Sequence, residues 1–378
     1  MAEQTAEASS KPRPTLTSKL VTLLVTLLLM FLVAEGVVRL MFRDSVPLFP
    51  RYHTKAQYGE YTLRTIRRNS DFYHTSIDGK WRFQTNSQGF RNIQDFSYEK
   101  PEGVVRIVSL GDSHTQGYEV HQDYTFSAVL EKYLARQGIE AEVINTGVSG
   151  FSNAEELLLL QHEMVKYQPD FVLLGFYLND YQDNLSSAFF ELDANNELVA
   201  TGKLEHTPGV FIQDVIYAIP GIQWLSENSY FYSMLFNSVW ELAKSILINR
   251  SAEVVNEFAV ATDYDYSPYE LRLAELLIRR MNEVARSNGA EFILLDLPGF
   301  YTETGLINPS IHKDLLPRIR NDADYFVSSE ILAPYDGVAR IHAPNGLRHI
   351  SEFTHTIYGV EVGKYILSSL ELARNSKD

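Results

Sequence analysis

The chain of 378 residues contains no cysteine. That absence excludes disulfides, thiolate metal sites and a cysteine nucleophile. It leaves the compartment open, because exported proteins also do without cysteine. Cationic charge is short as well: the formal net charge is −15. Residues 1–55 hold 7 Lys+Arg and 4 Asp+Glu, which leaves 26 and 44 for residues 56–378. Phosphate binding needs cationic surface, so an acidic body argues against nucleic acid as a partner. No internal repeat is visible, and no His/Asp/Glu cluster has metal-ligand spacing, so no metal is expected. Gly111 and Gly117 bracket a loop that lacks the lysine of a phosphate loop. Nucleotide binding is therefore disfavoured, and no cofactor is expected.

Long apolar runs are scarce, with one exception near the N-terminus. Leu20 to Ala34 is an uninterrupted series of apolar residues and threonine, and it continues to Phe42 broken by Glu35 and Arg39. Roughly 20 residues span a bilayer core, and Leu20–Met41 meets that length. Glu35 and Arg39 are four apart, so they can pair on one helix face near the membrane surface. No small-x-small cleavage site follows, which favours an uncleaved signal anchor over a cleaved signal peptide. Lys11, Arg13 and Lys19 precede the span while Arg39, Arg43, Arg51 and Lys55 follow it, so charge bias is a weak guide to orientation. The expected order is a disordered tail (1–18) on the cytoplasmic side, a transmembrane anchor (19–42), an extension (43–100) and an outward-facing catalytic body (101–378).

Within the extension, Lys80–Thr85 alternates like a strand, and Asn86-Ser87-Gln88-Gly89 reads as a turn. From Val104 onward, strands and helices alternate. Strands are expected at Val104–Leu110, Glu142–Asn145, Phe171–Phe176, Glu291–Leu295 and Gly337–His342. Helices are expected at Phe126–Arg136, Ser152–Tyr167, Tyr269–Ser287, Pro309–Ser328 and Tyr358–Ala373. Ser152 with Glu155 three residues on suits a capping box. Such alternation implies an α/β fold with a doubly wound, mostly parallel five-stranded sheet. An insertion at about 186–266 interrupts it. Its aromatic and aliphatic content (Phe211, Tyr217, Trp224, Tyr230, Phe231, Tyr232, Phe236, Trp240) is not that of a solvated linker. It reads as a helical insertion packed on the core, with a cap over the site or a bilayer-touching surface as the sharper readings. A second span is disfavoured by Asp214, Pro220, Glu227 and Glu241.

Gly111-Asp112-Ser113 follows the first core strand and places a serine on the sharp turn at its tip. A serine there is a candidate nucleophile if a base and an oxyanion hole accompany it. Three further stretches fall just after expected strands, on the edge where doubly wound folds put their sites. They are Gly147-Val148-Ser149-Gly150, Asn179-Asp180 and Glu352-Phe353-Thr354-His355. Asp112 and Asp180 read as turn or cap residues, and Gly150 serves equally as turn glycine or site residue. Trp81, Asn86 and Arg91 read as hairpin structure.

Taken in order, Gly111-Asp112-Ser113, Gly150, Asn179-Asp180 and an acid-x-x-His resemble the SGNH hydrolases, also called the GDSL family, across about residues 104–375. Thr85–Arg91 behind an N-terminal anchor is similar to a membrane-anchored bacterial branch associated with extracellular polysaccharide. The resemblance implies a flavodoxin-like three-layer fold and a serine esterase or acyltransferase. Ser113 would be the nucleophile and His355 the base, because a hydroxyl attacks an ester only as its proton is removed. Glu352 would orient His355, in place of the family's usual aspartate. His342 and His349 also lie close by, but neither has an acid three residues before it. The backbone N–H groups of Ser113 and Gly150 and the side-chain amide of Asn179 would form the oxyanion hole. Two further departures are Tyr177, where the family carries glycine, and a His355–Gly359 spacing one residue short. The implied substrates are O-acyl esters, above all O-acetyl groups, of extracellular polysaccharide, at a bacterial inner membrane with the body periplasmic. A lipid esterase (lysophospholipase) and a non-catalytic glycan-binding or assembly protein are the alternative expectations.

Overall fold

The computed structural model describes residues 15–248, 266–299, 308–320, 323–345 and 349–375. The expectation for the first part of the tail lies outside these residues, as does the stretch 249–265 of the insertion. The chain opens with α1 (Leu16–Met41), then two hairpins, β1 (His53–Tyr58) with β2 (Tyr61–Ile66) and β3 (Asp71–Ser76) with β4 (Gly79–Gln84). The core follows as β5 (Val105–Gly111), α2 (Ser113–Gln116), α3 (Phe126–Arg136), β6 (Ala141–Asn145), α4 (Asn153–His162), β7 (Phe171–Phe176) and α5 (Asp180–Ser187). The insertion supplies β8 (Phe190–Leu192), β9 (Leu198–Ala200), β10 (Glu205–His206), α6 (Val210–Tyr217), α7 (Ile222–Asn228) and α8 (Tyr230–Ile248). The core resumes with α9 (Pro268–Ser287), β11 (Glu291–Asp296), α10 (Leu316–Ile319), β12 (Asp324–Phe326), α11 (Ser328–Ile331) and α12 (Glu352–Asn375).

Successive side chains of a strand point to opposite faces, and a parallel strand covered on both faces is apolar throughout. β7 shows the consequence. Phe171 and Leu173 pack into one cluster with Phe126, Leu130 and Leu134 of α3 and Tyr358, Val362 and Ile366 of α12. Val172 and Leu174 pack into the other, with Leu157 and Leu158 of α4 and Leu271, Leu277 and Ile278 of α9. The result is three layers around a parallel five-stranded sheet in the order β12-β11-β7-β5-β6. By order of appearance this is the 2-1-3-4-5 arrangement, whose switch point lies between β5 and β7. The doubly wound sheet expected from the sequence is thus present, and Ser113 stands at its switch point.

The capping box at Ser152 and Glu155 is present. Three other expectations need correction. The fifth strand is β12, not Gly337–His342. The carboxylate of Asp296 accepts from the N–H and hydroxyl of Ser328 at 2.9 and 2.6 Å, which holds the end of β12 beside β11. Gly337 takes a left-handed φ of 66°, which an extended strand does not allow. The helix expected over Pro309–Ser328 is reduced to α10, because part of that stretch is the edge strand β12 itself. The last helix begins at Glu352 rather than Tyr358, with the Ser351 hydroxyl accepting from the N–H of Thr354 at 3.3 Å.

Candidate active site

β5 ends on Gly111, whose φ of 150° is costly for a side-chain-bearing residue. A Cβ there would lie 2.0 Å from the Thr115 hydroxyl, so the turn requires glycine. Asp112 caps α2 by accepting from the N–H of His114 at 2.8 Å. Ser113 thereby becomes the first residue of α2, half-buried at the sheet edge. Its neighbourhood is braced by Arg91, whose buried guanidinium donates to the carbonyls of Gln116, Gly117 and Val120. Thr85 and Asn86 are likewise buried in turn hydrogen bonds. Structural roles for Asn86 and Arg91 follow directly.

The imidazole against Ser113 belongs to His349. Its Nε2 lies 2.8 Å from the Ser113 hydroxyl oxygen. For that nitrogen to accept the serine proton, the neutral ring must carry its own proton on Nδ1. The ring packs against Tyr118 at 4.5 Å and against His114 at 4.8 Å between centroids. His114 in turn packs on Tyr177 at 3.8 Å. Tyr177, which stands where the family has glycine, thus supports the histidines beside Ser113. His114 is held neutral: burial, then the neighbouring histidines, push its pKa well down.

His355 is elsewhere. It lies in the first turn of α12, fully buried, and its Nδ1 accepts from the N–H of Phe126 at 3.1 Å. Its ring is stacked on Phe126. Burial pushes its pKa down to about 3, with smaller contributions from Arg91 and His349. Its buried Nε2 has no hydrogen-bond partner among the described residues. Glu352 does not orient it either. That carboxylate accepts from the N–H of His121 at 2.7 Å and meets the His121 Nδ1 at 2.5 Å. The physical reason is the early start of α12: a helix beginning at Glu352 carries His355 back toward α3, while His349 stays in the preceding loop. Ser351 as helix cap was the signal available in the sequence. The position three before His349 is Gly346, so no orienting carboxylate comes from there.

The remaining site residues gather at the same edge. Gly150 has a left-handed φ of 73°, and its carbonyl accepts from Arg64 at 2.6 Å. Its loop is pinned to α2 by Gln116, whose side-chain amide oxygen accepts from the N–H and hydroxyl of Ser149 at 2.7 and 2.8 Å. Gly147 allows that approach, since a Cβ there would meet the Gln116 nitrogen at 2.2 Å. The Asn179 amide donates to Asp183 at 2.8 Å and to Asp112 at 3.3 Å. Burial pushes the Asp112 carboxyl up to about 6. One residue pair was missed from the sequence altogether. Asp78, at the tip of the β3–β4 hairpin, accepts from the backbone and side-chain N–H groups of Asn345, each at 2.7 Å. This ties the N-terminal extension to the segment leading to His349.

A family model described as GDSL-like Lipase/Acylhydrolase matches residues 109–326. A search of curated proteins found no match. Among solved structures, TesA is 14% identical with a TM-score of 0.37, covering 68% of this chain and 97% of its own. The lipase/acylhydrolase from Enterococcus faecalis is 16% identical with a TM-score of 0.37, covering 69% and 95%. A two-domain esterase (CEX) active on acetylated mannans is 12% identical with a TM-score of 0.39, covering 71% of this chain and 50% of its own. The family match spans more than half of the chain and includes the turn that presents Ser113, so this protein belongs to the GDSL-like lipase/acylhydrolase family of ester-hydrolysing serine enzymes.

Proposed function

We propose that Ser113 and His349 form the nucleophile–base pair of a membrane-anchored esterase or acyltransferase that acts on O-acyl esters, with O-acetyl groups on extracellular polysaccharide as the substrate class. The observation that carries the reading is the 2.8 Å contact between the Ser113 hydroxyl and the His349 Nε2. The hydroxyl oxygen attacks the ester carbonyl carbon while Nε2 takes the proton. The N–H groups of Ser113 and Gly150 and the amide of Asn179 stabilise the oxyanion, for which Asn179 exchanges its long contact to Asp112. The imidazolium then protonates the leaving alcohol, and acyl-Ser113 remains. Water, or a sugar hydroxyl, gives up its proton to His349 as its oxygen attacks the acyl carbon; the acyl–Ser113 bond then breaks and the His349 imidazolium returns the proton to the Ser113 oxygen. Exposed His121 and Tyr124, whose rings lie 6.4 Å apart, offer aromatic faces for a carbohydrate acceptor.

The test is p-nitrophenyl acetate turnover and fluorophosphonate labelling of the full-length protein. Ser113→Ala abolishes both. His349→Ala lowers turnover by at least ~10²-fold, the usual range for a general base. His355→Gln retains the rate if the assignment to His349 is right. A rate that survives His349→Ala and is lost in His355→Gln overturns it. Acetate release from acetylated glycan, compared with fatty-acid release from lysophospholipid, decides the substrate class. The second reading, a lipid esterase, is favoured by the apolar outer face of α6 and α7.

A further inference from the structure

A helix on the surface of a soluble protein turns its apolar stripe inward and its polar side chains out. In α6 and α7 this arrangement is reversed. Gln213 of α6 is buried and accepts from the N–H of His53 at 3.3 Å. Asp214 accepts from the Thr54 hydroxyl at 3.1 Å and pairs with Arg67. In α7, Gln223 donates to the carbonyl of Asp71 at 3.2 Å, and Glu227 accepts from the N–H of Tyr73 at 3.0 Å. The polar side chains thus hold the protein, while Phe211, Ile212, Val215 and Trp224 face away from it. Phe211 is 79% exposed and Trp224 is 65% exposed. In α8, Leu235 and Val239, one turn apart, are exposed as well.

This surface is joined to α1. The Glu35 carboxylate accepts from the N–H groups of Tyr230 and Phe231 at 3.2 and 2.9 Å and from the Ser229 hydroxyl at 2.8 Å, capping the start of α8. Arg39 donates to the carbonyl of Asn228 at 2.7 Å. Deeper along α1, Phe31 meets Phe231 edge-on at 5.6 Å. Phe31 is ten residues before the end of α1, which at 1.5 Å per residue is ~15 Å along the helix. If α1 spans a bilayer, a residue at that depth lies below the headgroups. The start of α8 must then lie there too.

We propose that α6, α7 and the start of α8 are embedded in the bilayer leaflet on the side of the catalytic domain, with lipid acyl chains as the partner of their outer face. The proposal rests on reading α1 as a membrane span, and it goes beyond a tether. A single span leaves the catalytic domain to tumble at the end of its linker. A span clasped to an embedded insertion fixes the height and tilt of the domain above the membrane. Trp224 and the apolar rows of α6 provide the interfacial anchoring that amphipathic helices use.

Because the chain lacks cysteine, single-cysteine variants can each carry one nitroxide label. The full-length protein is reconstituted in phosphatidylcholine/phosphatidylglycerol nanodiscs. Labels are placed at Phe211→Cys, Val215→Cys and Trp224→Cys, with Leu24→Cys in α1 as the lipid control and Tyr98→Cys as the water control. Collision with oxygen is compared with collision with a water-soluble nickel chelate. The three test sites are expected to match Leu24→Cys, with an oxygen-to-nickel ratio several-fold above that of Tyr98→Cys. If they match Tyr98→Cys while Leu24→Cys reads as lipid, embedding is refuted and the span stands. If Leu24→Cys itself reads as water, the span and the embedding both fall. Test sites shielded from both reagents would mark a protein contact, such as a second copy, and would also refute the proposal. Esterase turnover of the same samples reports on the active-site assignment independently.

Discussion

Ser113 and His349 are 236 positions apart in sequence and one hydrogen bond apart in space. The neighbouring histidines illustrate how environment, not residue type, sets a role. His349 is half-buried and reaches the Ser113 hydroxyl; His355 is sealed between α12 and α3, where burial drives its pKa to about 3. A histidine whose pKa is depressed on folding binds fewer protons folded than unfolded. Its contribution to stability is therefore complete above the ordinary value near 6.5. It is lost as pH falls from there toward about 3. One pKa unit corresponds to about 1.4 kcal/mol. His355→Gln, which keeps an acceptor for the Phe126 N–H, should therefore recover on the order of 3 kcal/mol relative to wild type between neutral pH and pH ~4. Thermal melts of both proteins at the two pH values check this: equal losses of stability in the two would contradict the buried neutral imidazole. The Ser113 position was legible in the sequence because a strand, a glycine and a capping aspartate are local signals. The partner histidine was not, because the choice between His349 and His355 depends on where α12 begins.

At the level of elements, two devices hold the site. The first is the turn after β5. Gly111→Ala forces a Cβ against the Thr115 hydroxyl in a backbone conformation that disfavours it. We expect a loss of at least ~1–3 kcal/mol in chemical denaturation, the cost of such local strain. The second is the hairpin of β3 and β4, whose Asp78 grips Asn345 four residues before His349. Asp78→Ala should lower kcat by about tenfold while leaving fluorophosphonate labelling complete at long times, since misplacement of the base by a fraction of an ångström slows chemistry without removing it. Asn345→Ala should do the same, and the double variant should be no slower than either alone. The strand was foreseeable from the alternation of Lys80–Thr85, but the hairpin turns before it, at Asp78, rather than at Asn86–Gly89, and the contact of Asp78 with residue 345 joins segments 267 positions apart. Nothing local encodes such a contact. The strand expected at Gly337–His342 failed for a related reason: the edge position next to β11 was taken by β12, held through Asp296.

On the scale of the whole molecule, the catalytic sheet, the N-terminal hairpins and the apolar α1 meet around the insertion. Val38 of α1 packs with Val46, Leu48 and Tyr230 in a small separate cluster. Removing residues 1–42 strips Val38 from that cluster and Glu35 from the start of α8. Residues 43–378 should keep the circular dichroism of the sheet and its helices. They should also self-associate in the absence of detergent, because the start of α8 loses α1 and so adds to the outer face of α6, which is already exposed. Light scattering with and without detergent decides this; a monodisperse monomer without detergent would contradict it. The sequence by itself determined the layered α/β sheet, because apolar periodicity and capping act over a few residues. It also determined the apolar helix α1 and the presentation of Ser113, which depend on length, hydropathy and a strand-to-turn signal. The tertiary structure alone decided which histidine meets that serine, what anchors the loop before it, and which way the insertion helices face. Those outcomes depend on where helices start and on which distant surfaces pack together, and no short stretch of chain carries that information.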